Sequence, residues 1–198
     1  MKTNLTLAYA AMMFFALTST ARAATPKRSF VSDPRDGKKY KIVTFGKTAW
    51  FAENLSFNTA HSWCYEDKAE NCTKYGRLYD WSAAGSSCPQ GWRLPTSSEL
   101  ANVVSPWSSE GGKSKALIAN GRGKSASGLD ILCAGMRAQN GNYFGEDIGT
   151  ELWSSSNGGW DNEPDVKSTL SIDSSGNITD SFQNQAKGLS VRCIKAVK

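Results

Sequence analysis

Apolar residues first gather between Leu5 and Leu17, after Lys2 and before the small-x-small triplet Ala21-Arg22-Ala23. This is the layout of a secretory signal cut after Ala23, and the run is too short for the ~20 residues of a membrane span. No cysteine lies near the cut, so a lipid anchor is not indicated, and no later stretch is apolar enough to cross a bilayer. Residues 1–23 are expected as a signal peptide, 24–32 as a short basic linker and 33–196 as one folded domain.

The domain opens on a strand pattern. "KYKIVTF" is rich in β-formers, Gly46-Lys47 stands where a type II′ turn wants glycine first, and "TAWFA" returns as the partner strand. "SWCYEDKAENC" is expected as a loop closed by cysteines, followed by a short strand and a short helix from Trp81. Thr96-x-x-Glu99 is a capping box, with Pro95 and Leu100 placed for a hydrophobic staple. Leu100, Val103 and Val104 then share a helical face, and Pro106 ends it. "KSKALIANG" is a second helical candidate, stopped by Asn120-Gly121. Beyond it, "LDILCAGMR", "NYFG", "ELWSSS", "STLSID", "NITDSF" and "LSVRCIK" are short β segments separated by turn residues. Hairpin, helices, then strands is an α+β order.

Composition narrows the partners. The chain of 198 residues carries a net charge of +5, falling to +3 once Lys2 and Arg22 leave with the signal. Opposite charges are interspersed with no basic stripe, which excludes nucleic acid as the expected partner. About 175 mature residues are enough for a real core. All five cysteines (Cys64, Cys72, Cys88, Cys133, Cys193) lie in the mature part, and an exported chain meets an oxidising compartment. Two bridges among five cysteines allow fifteen arrangements. Zinc is disfavoured by the absence of a close Cys-x-x-Cys pair and by a single histidine, His61.

Several phrases carry a resemblance. "DPRDGKKYKIV", "WFAENL", "CTKYGRLYDWSAA", "CPQGWRLPTSSEL", "WSSS" and "GLSVRCIK" resemble the Fibrobacter succinogenes major paralogous domain, over about Asp33 to Lys195. The resemblance implies a C-type-lectin-like fold: a mixed, mostly antiparallel sheet, two short helices and long loops. It also implies the pairing Cys88–Cys193 and a local pair Cys64–Cys72, leaving Cys133 over, whose bland reading is a buried free thiol and whose sharper readings are a reactive thiol or an intermolecular bridge. A bridge closing a loop of about 105 residues contributes on the order of 4–5 kcal/mol in the chain-entropy model.

Catalytic signals are weak. His61 lies in a polar loop, no Gly-x-Ser-x-Gly elbow occurs, and "GRGKSASG" lacks the spacing of a phosphate-binding loop. Some lectin-like folds host the enzymes that make formylglycine, which share an Arg-Leu-Pro-Thr helix start. They use a closely spaced cysteine pair late in the chain, whereas Cys133 and Cys193 are sixty residues apart. The chain is therefore expected not to be an enzyme.

One polar stretch stands out, Gly158 to Asp165, "GGWDNEPD". Glu163-Pro164-Asp165 resembles the sugar-binding Glu-Pro-Asn or Gln-Pro-Asp of C-type lectins, and Trp160-Asp161-Asn162 has the composition of their Trp-Asn-Asp. Trp160, Asp161, Asn162, Glu163 and Asp165 are the candidate ligand-binding residues. Asp161, Glu163 and Asp165 would supply hard oxygen ligands for Ca²⁺, and Trp160 a platform for a sugar face. The bland alternative is an exposed turn, since these are turn residues. Trp50, Trp81, Trp92 and Trp153 are expected in the core; Trp107, Trp160 and Tyr143 are the candidates for exposed contacts. The expected function is a secreted or cell-surface binding module, periplasmic export included, with polysaccharide or a cell-envelope protein as partner. The alternative is a structural component of the envelope without a small ligand.

Overall fold

The structure is a computed structural model and describes residues 27–108, 114–119, 124–159 and 163–197. The expected signal peptide lies outside them. The fold is α+β: mostly strands, three short helices and two disulfides.

A first, antiparallel sheet has the order β1-β2-β3-β12, from β1 (Lys27–Ser32), β2 (Lys39–Phe45), β3 (Thr48–Phe51) and β12 (Ile194–Ala196). The expected hairpin is present, with Phe45 opposite Thr48 across Gly46-Lys47. Gly46 has φ 55 and Lys47 no positive φ, as a type II′ turn requires. The expected linker is a correction. Lys27–Ser32 pairs with Thr44–Lys39 as the outer strand, Val31 packs on the core, and Arg28 forms a 3.0 Å ion pair with the buried Asp130.

The middle of the chain supplies β4 (Ser62–Trp63), α1 (Ala69–Tyr75), β5 (Leu78–Tyr79), α2 (Trp81–Ser87) and α3 (Ser97–Val104). The segment expected as a pure cystine loop contains α1. Its start has no side-chain cap and it buries only Asn71 and Tyr75, so its sequence carries no amphipathic stripe. It is held instead by Cys64–Cys72 and stopped at Gly76, φ 79. There a Cβ would come within 2.7 Å of Asn54 Cβ, so only glycine fits. Conversely, the described part of "KSKALIANG" is not helical. Ser114–Ala119 makes a turn and a bridge from Ile118 to Ile131, while Leu117 is fully buried. Partners across the fold, Gly176 and Ile131, take its backbone groups, which outweighs the weak helical tendency of so short a run.

The second sheet has the order β10-β9-β8-β11-β5-β4, from β8 (Gly149–Asn157), β9 (Val166–Asp173), β10 (Ile178–Asn184) and β11 (Leu189–Ser190) with the two short strands above. β6 (Ala134–Arg137) and β7 (Tyr143–Glu146) form a hairpin attached to β8 through Gly135 and Thr150. Two apolar clusters fill the interior. One joins Val43, Trp50, Leu100, Leu117, Leu170 and Ile172. The other joins Tyr40, Phe51, Tyr79, Trp153, Val191 and Cys193.

The phrases that carry the resemblance meet one another here. The capping box of Thr96 and Glu99 is formed, and Cys88 is bonded to Cys193. Arg93 and Ile194 exchange backbone hydrogen bonds beside that bridge. The register of β8 slips between Trp153 and Asn157, which lets Ser155 donate to the Pro95 carbonyl (2.7 Å) and Ser154 accept from Trp81 Nε1 (2.8 Å). Arg192 is the hub. It is fully buried, and it donates to Asn54 Oδ1 (2.6 Å) and to the carbonyls of Phe51, Leu129 and Asp130. Burial pulls its pKa down to about 10, against the opposing charges of Asp130 and Glu53, so it stays protonated at neutral pH.

Candidate functional site

The loop singled out in the sequence joins β8 to β9. Trp160, Asp161 and Asn162 lie outside the described residues; the base of the loop is described. Asn157, Gly158, Gly159, Glu163, Pro164 and Lys167 line an open depression of about 350 Å³. Lys167 organises it. Its side chain is buried, its ammonium donates to Asn157 Oδ1 (2.8 Å) and the Pro164 carbonyl (2.9 Å), and it stands 4.4 Å from the centre of the Trp81 ring. The cation therefore ties both ends of the loop to the top of α2.

The two described carboxylates face different neighbours. Asp165 accepts from Gln185 Nε2 (2.7 Å), extending the β9–β10 pairing by one step. Glu163 lies over Gly159, where a Cβ would come within 2.7 Å of Oε2. Lys167 holds the Pro164 carbonyl between them, an oxygen that a calcium cage of six to eight ligands would draw on. The described residues contain no group of three metal-ligating side chains. Glu163 and Asp165 alone do not fit a Ca²⁺ site, and Asp161 lies outside the described residues.

An aromatic ring that sequence reasoning did not assign borders this depression. Phe182, on the edge strand β10, is 57% exposed, and a Cβ on Gly158 would come within 2.6 Å of its Cδ1. The ring thus rests on the bare backbone of Gly158, with one face to solvent. The available signal was its strand parity: Phe182 shares a face with the exposed Asp180.

The other tryptophans and tyrosines divide largely as expected. Trp50 and Trp153 are buried, and Trp81 and Trp92 are half-buried against the second cluster. Trp107 is half-buried against the first cluster, a correction to its expected exposure. Tyr143 is half-buried too. It stacks on Tyr65 at 5.2 Å and donates to Asp67 (2.7 Å), and burial, helped by Asp67, pushes its phenol up to about 12.

His61 is well exposed, 3.2 Å from Asp80, whose other oxygen caps α2. Cys64–Cys72 and Cys88–Cys193 are formed, and Cys133 is a buried free thiol. Burial raises the Cys133 pKa, and the charges of Asp147 and Asp173 add to this, so the unreactive thiol form is favoured. No helix among the described residues is long and apolar enough to cross a membrane. A second cleft, about 290 Å³, lies between β2, Asn54 and the end of α1. Its carboxylates are already engaged, Glu53 by Lys41 and Asp130 by Arg28.

These features define a disulfide-bridged α+β domain with an open polar depression where a loop meets an edge strand. Residues 43–195 match the family model of the Fibrobacter succinogenes major domain, and the chain belongs to that family. Comparison with curated proteins gives no match. Comparison with solved structures gives none either.

Proposed function

We propose that the chain is a secreted or cell-surface, non-catalytic binding module of C-type-lectin-like fold, and that its ligand is a polysaccharide. The observation that carries this reading is the exposed Phe182 ring beside the polar depression of Asn157, Glu163 and Lys167. An apolar ring face next to hydrogen-bonding groups on an open surface suits the face and hydroxyls of a sugar chain better than an enclosed small molecule. Two disulfides favour an oxidising compartment. Binding does not require calcium, because Lys167 places a positive charge at the base of the loop.

The test is retention of the protein on insoluble glycans such as cellulose, with and without chelator. The expected result is retention in both conditions, lost in Phe182→Ala. If the protein is not retained on any insoluble glycan, or if neither Phe182→Ala nor Trp160→Ala alters retention, the reading is wrong. In that case co-purification with envelope proteins would support the alternative, a structural part of the cell envelope.

A further inference from the structure

Six arginines lie in the described residues, and five of them have their guanidinium bonded within the protein. Arg28 and Arg35 pair with Asp130 and Asp33, Arg93 with Glu99, Arg77 with Ser62, and Arg192 with carbonyls. Arg137, at the end of β6, is different. Its guanidinium has no ion pair with a described carboxylate and approaches only the Tyr143 hydroxyl, and its Nε is buried without a partner. Only its backbone is engaged, with Gly188.

The guanidinium is nevertheless held in place. It lies 4.2 Å from the centre of the Trp63 ring and 6.0 Å from that of Tyr143. A Cβ at Gly188 would come within 3.0 Å of Arg137 Cβ and 3.2 Å of Trp63 Cε3, so glycine there permits the close stack. On the other side, Gly141 leaves Nη2 uncovered, since a Cβ would come within 3.2 Å of it. Tyr143 is fixed by its bond to Asp67 and by Tyr65. A buried N–H without an acceptor carries a desolvation cost. Here that cost accompanies a rigid, planar cation that keeps donors to spare beyond its approach to the Tyr143 hydroxyl.

We infer that Arg137, with Trp63 and Tyr143, forms a binding site for a carboxylate-bearing saccharide of the uronic-acid type. The guanidinium edge matches a carboxylate through two parallel hydrogen bonds, and the half-exposed rings beside it take the apolar face of the sugar. The site is separate from the Gly158–Lys167 depression. It rests on the glycan-binding reading only in the choice of a saccharide over another carboxylate.

The test uses the chain expressed from Met1 and purified in the form the host processes. It is titrated by calorimetry with a galacturonate tetramer and with the same oligomer after its carboxyls are reduced to alcohols. The tetramer is expected to bind saturably, and the reduced oligomer to bind at least about tenfold more weakly. Arg137→Gln is expected to lower affinity for the tetramer at least about tenfold. Arg137→Lys, which keeps the charge and loses the planar fork, is expected to fall between the two. Phe182→Ala should leave tetramer binding unchanged, which separates this site from the one proposed above. Equal affinity for the two oligomers, or unchanged binding in both Arg137→Gln and Arg137→Lys, would overturn the assignment. So would the absence of saturable binding up to about 10 mM tetramer, including when a peptide C-terminal carboxylate binds instead.

Discussion

Arg192 and Arg137 both lack a carboxylate partner, and their surroundings differ in every other respect. Arg192 is fully buried and has its N–H groups directed to Asn54 Oδ1 and three backbone carbonyls. Those acceptors come from the end of β3 and the Leu129-Asp130 turn, so one side chain joins three stretches distant in sequence. Arg137 is half-buried, stacked on Trp63, and its guanidinium meets no carboxylate or carbonyl among the described residues, only the Tyr143 hydroxyl. A buried cation surrounded by acceptors holds a fold together. A stacked cation with donors to spare is prepared for a ligand. The difference is one of hydrogen-bond satisfaction rather than charge.

The comparison can be broken on either side. The largest effect is expected from the bridge beside Arg192. Cys88→Ser with Cys193→Ser opens a loop of 105 residues and should lower unfolding stability by about 4–5 kcal/mol, measured by denaturant titration. Next comes Arg192→Met, which strands three carbonyls and the Asn54 side chain and should cost about 3–5 kcal/mol. A loss below about 1 kcal/mol would mean that water or a shifted Asn54 replaces the guanidinium. Thr96→Ala removes half of the capping box and should cost about 1 kcal/mol.

The same box gives a pH dependence. The Arg93 guanidinium, with the Thr96 backbone N–H, holds the Glu99 carboxyl at about 2, below its ordinary 4.5. A lowered folded-state pKa stabilises the fold above the unfolded value. Glu99 should therefore contribute fully above about pH 4.5, and its contribution should fade between there and about pH 2. Comparing Glu99→Gln with the unaltered chain across that range checks this: the stability gap should narrow as pH falls. The smallest effect on stability is expected from Arg137→Gln, less than about 1 kcal/mol, because it breaks a half-exposed stack and no ion pair.

Much of this frame was legible in the sequence. The Gly46-Lys47 turn, the Thr96–Glu99 box and the apolar face of Leu100, Val103 and Val104 are local signals, each decided within a few residues. The two disulfides followed from the family resemblance. What stayed hidden depends on partners far along the chain. β1 has no alternating pattern, because Phe30 is exposed and Arg28 reaches Asp130 across 102 positions. α1 is stabilised by its cystine, and Leu117 is drawn into the core by Ile131 and Gly176.

At the candidate site, the loop from Gly158 to Asp165 was visible as a polar run. The use of Lys167 and Phe182 at its base was not. Both sit in ordinary strand phrases, and only the pairing of β9 with β10 brings them to the loop. Arg137 and Trp63 are 74 positions apart in the chain, and nothing local marks either as half of a stack.

The most direct measurement is a pair of denaturant titrations on Arg192→Met and Arg137→Gln, each repeated with the galacturonate tetramer. Arg192→Met should unfold at much lower denaturant than the unaltered chain. Arg137→Gln should unfold close to it and lose the stabilisation that the tetramer gives the unaltered protein. An Arg137→Gln chain as fragile as Arg192→Met, or one still stabilised by the tetramer, would contradict the division between a holding arginine and a binding one.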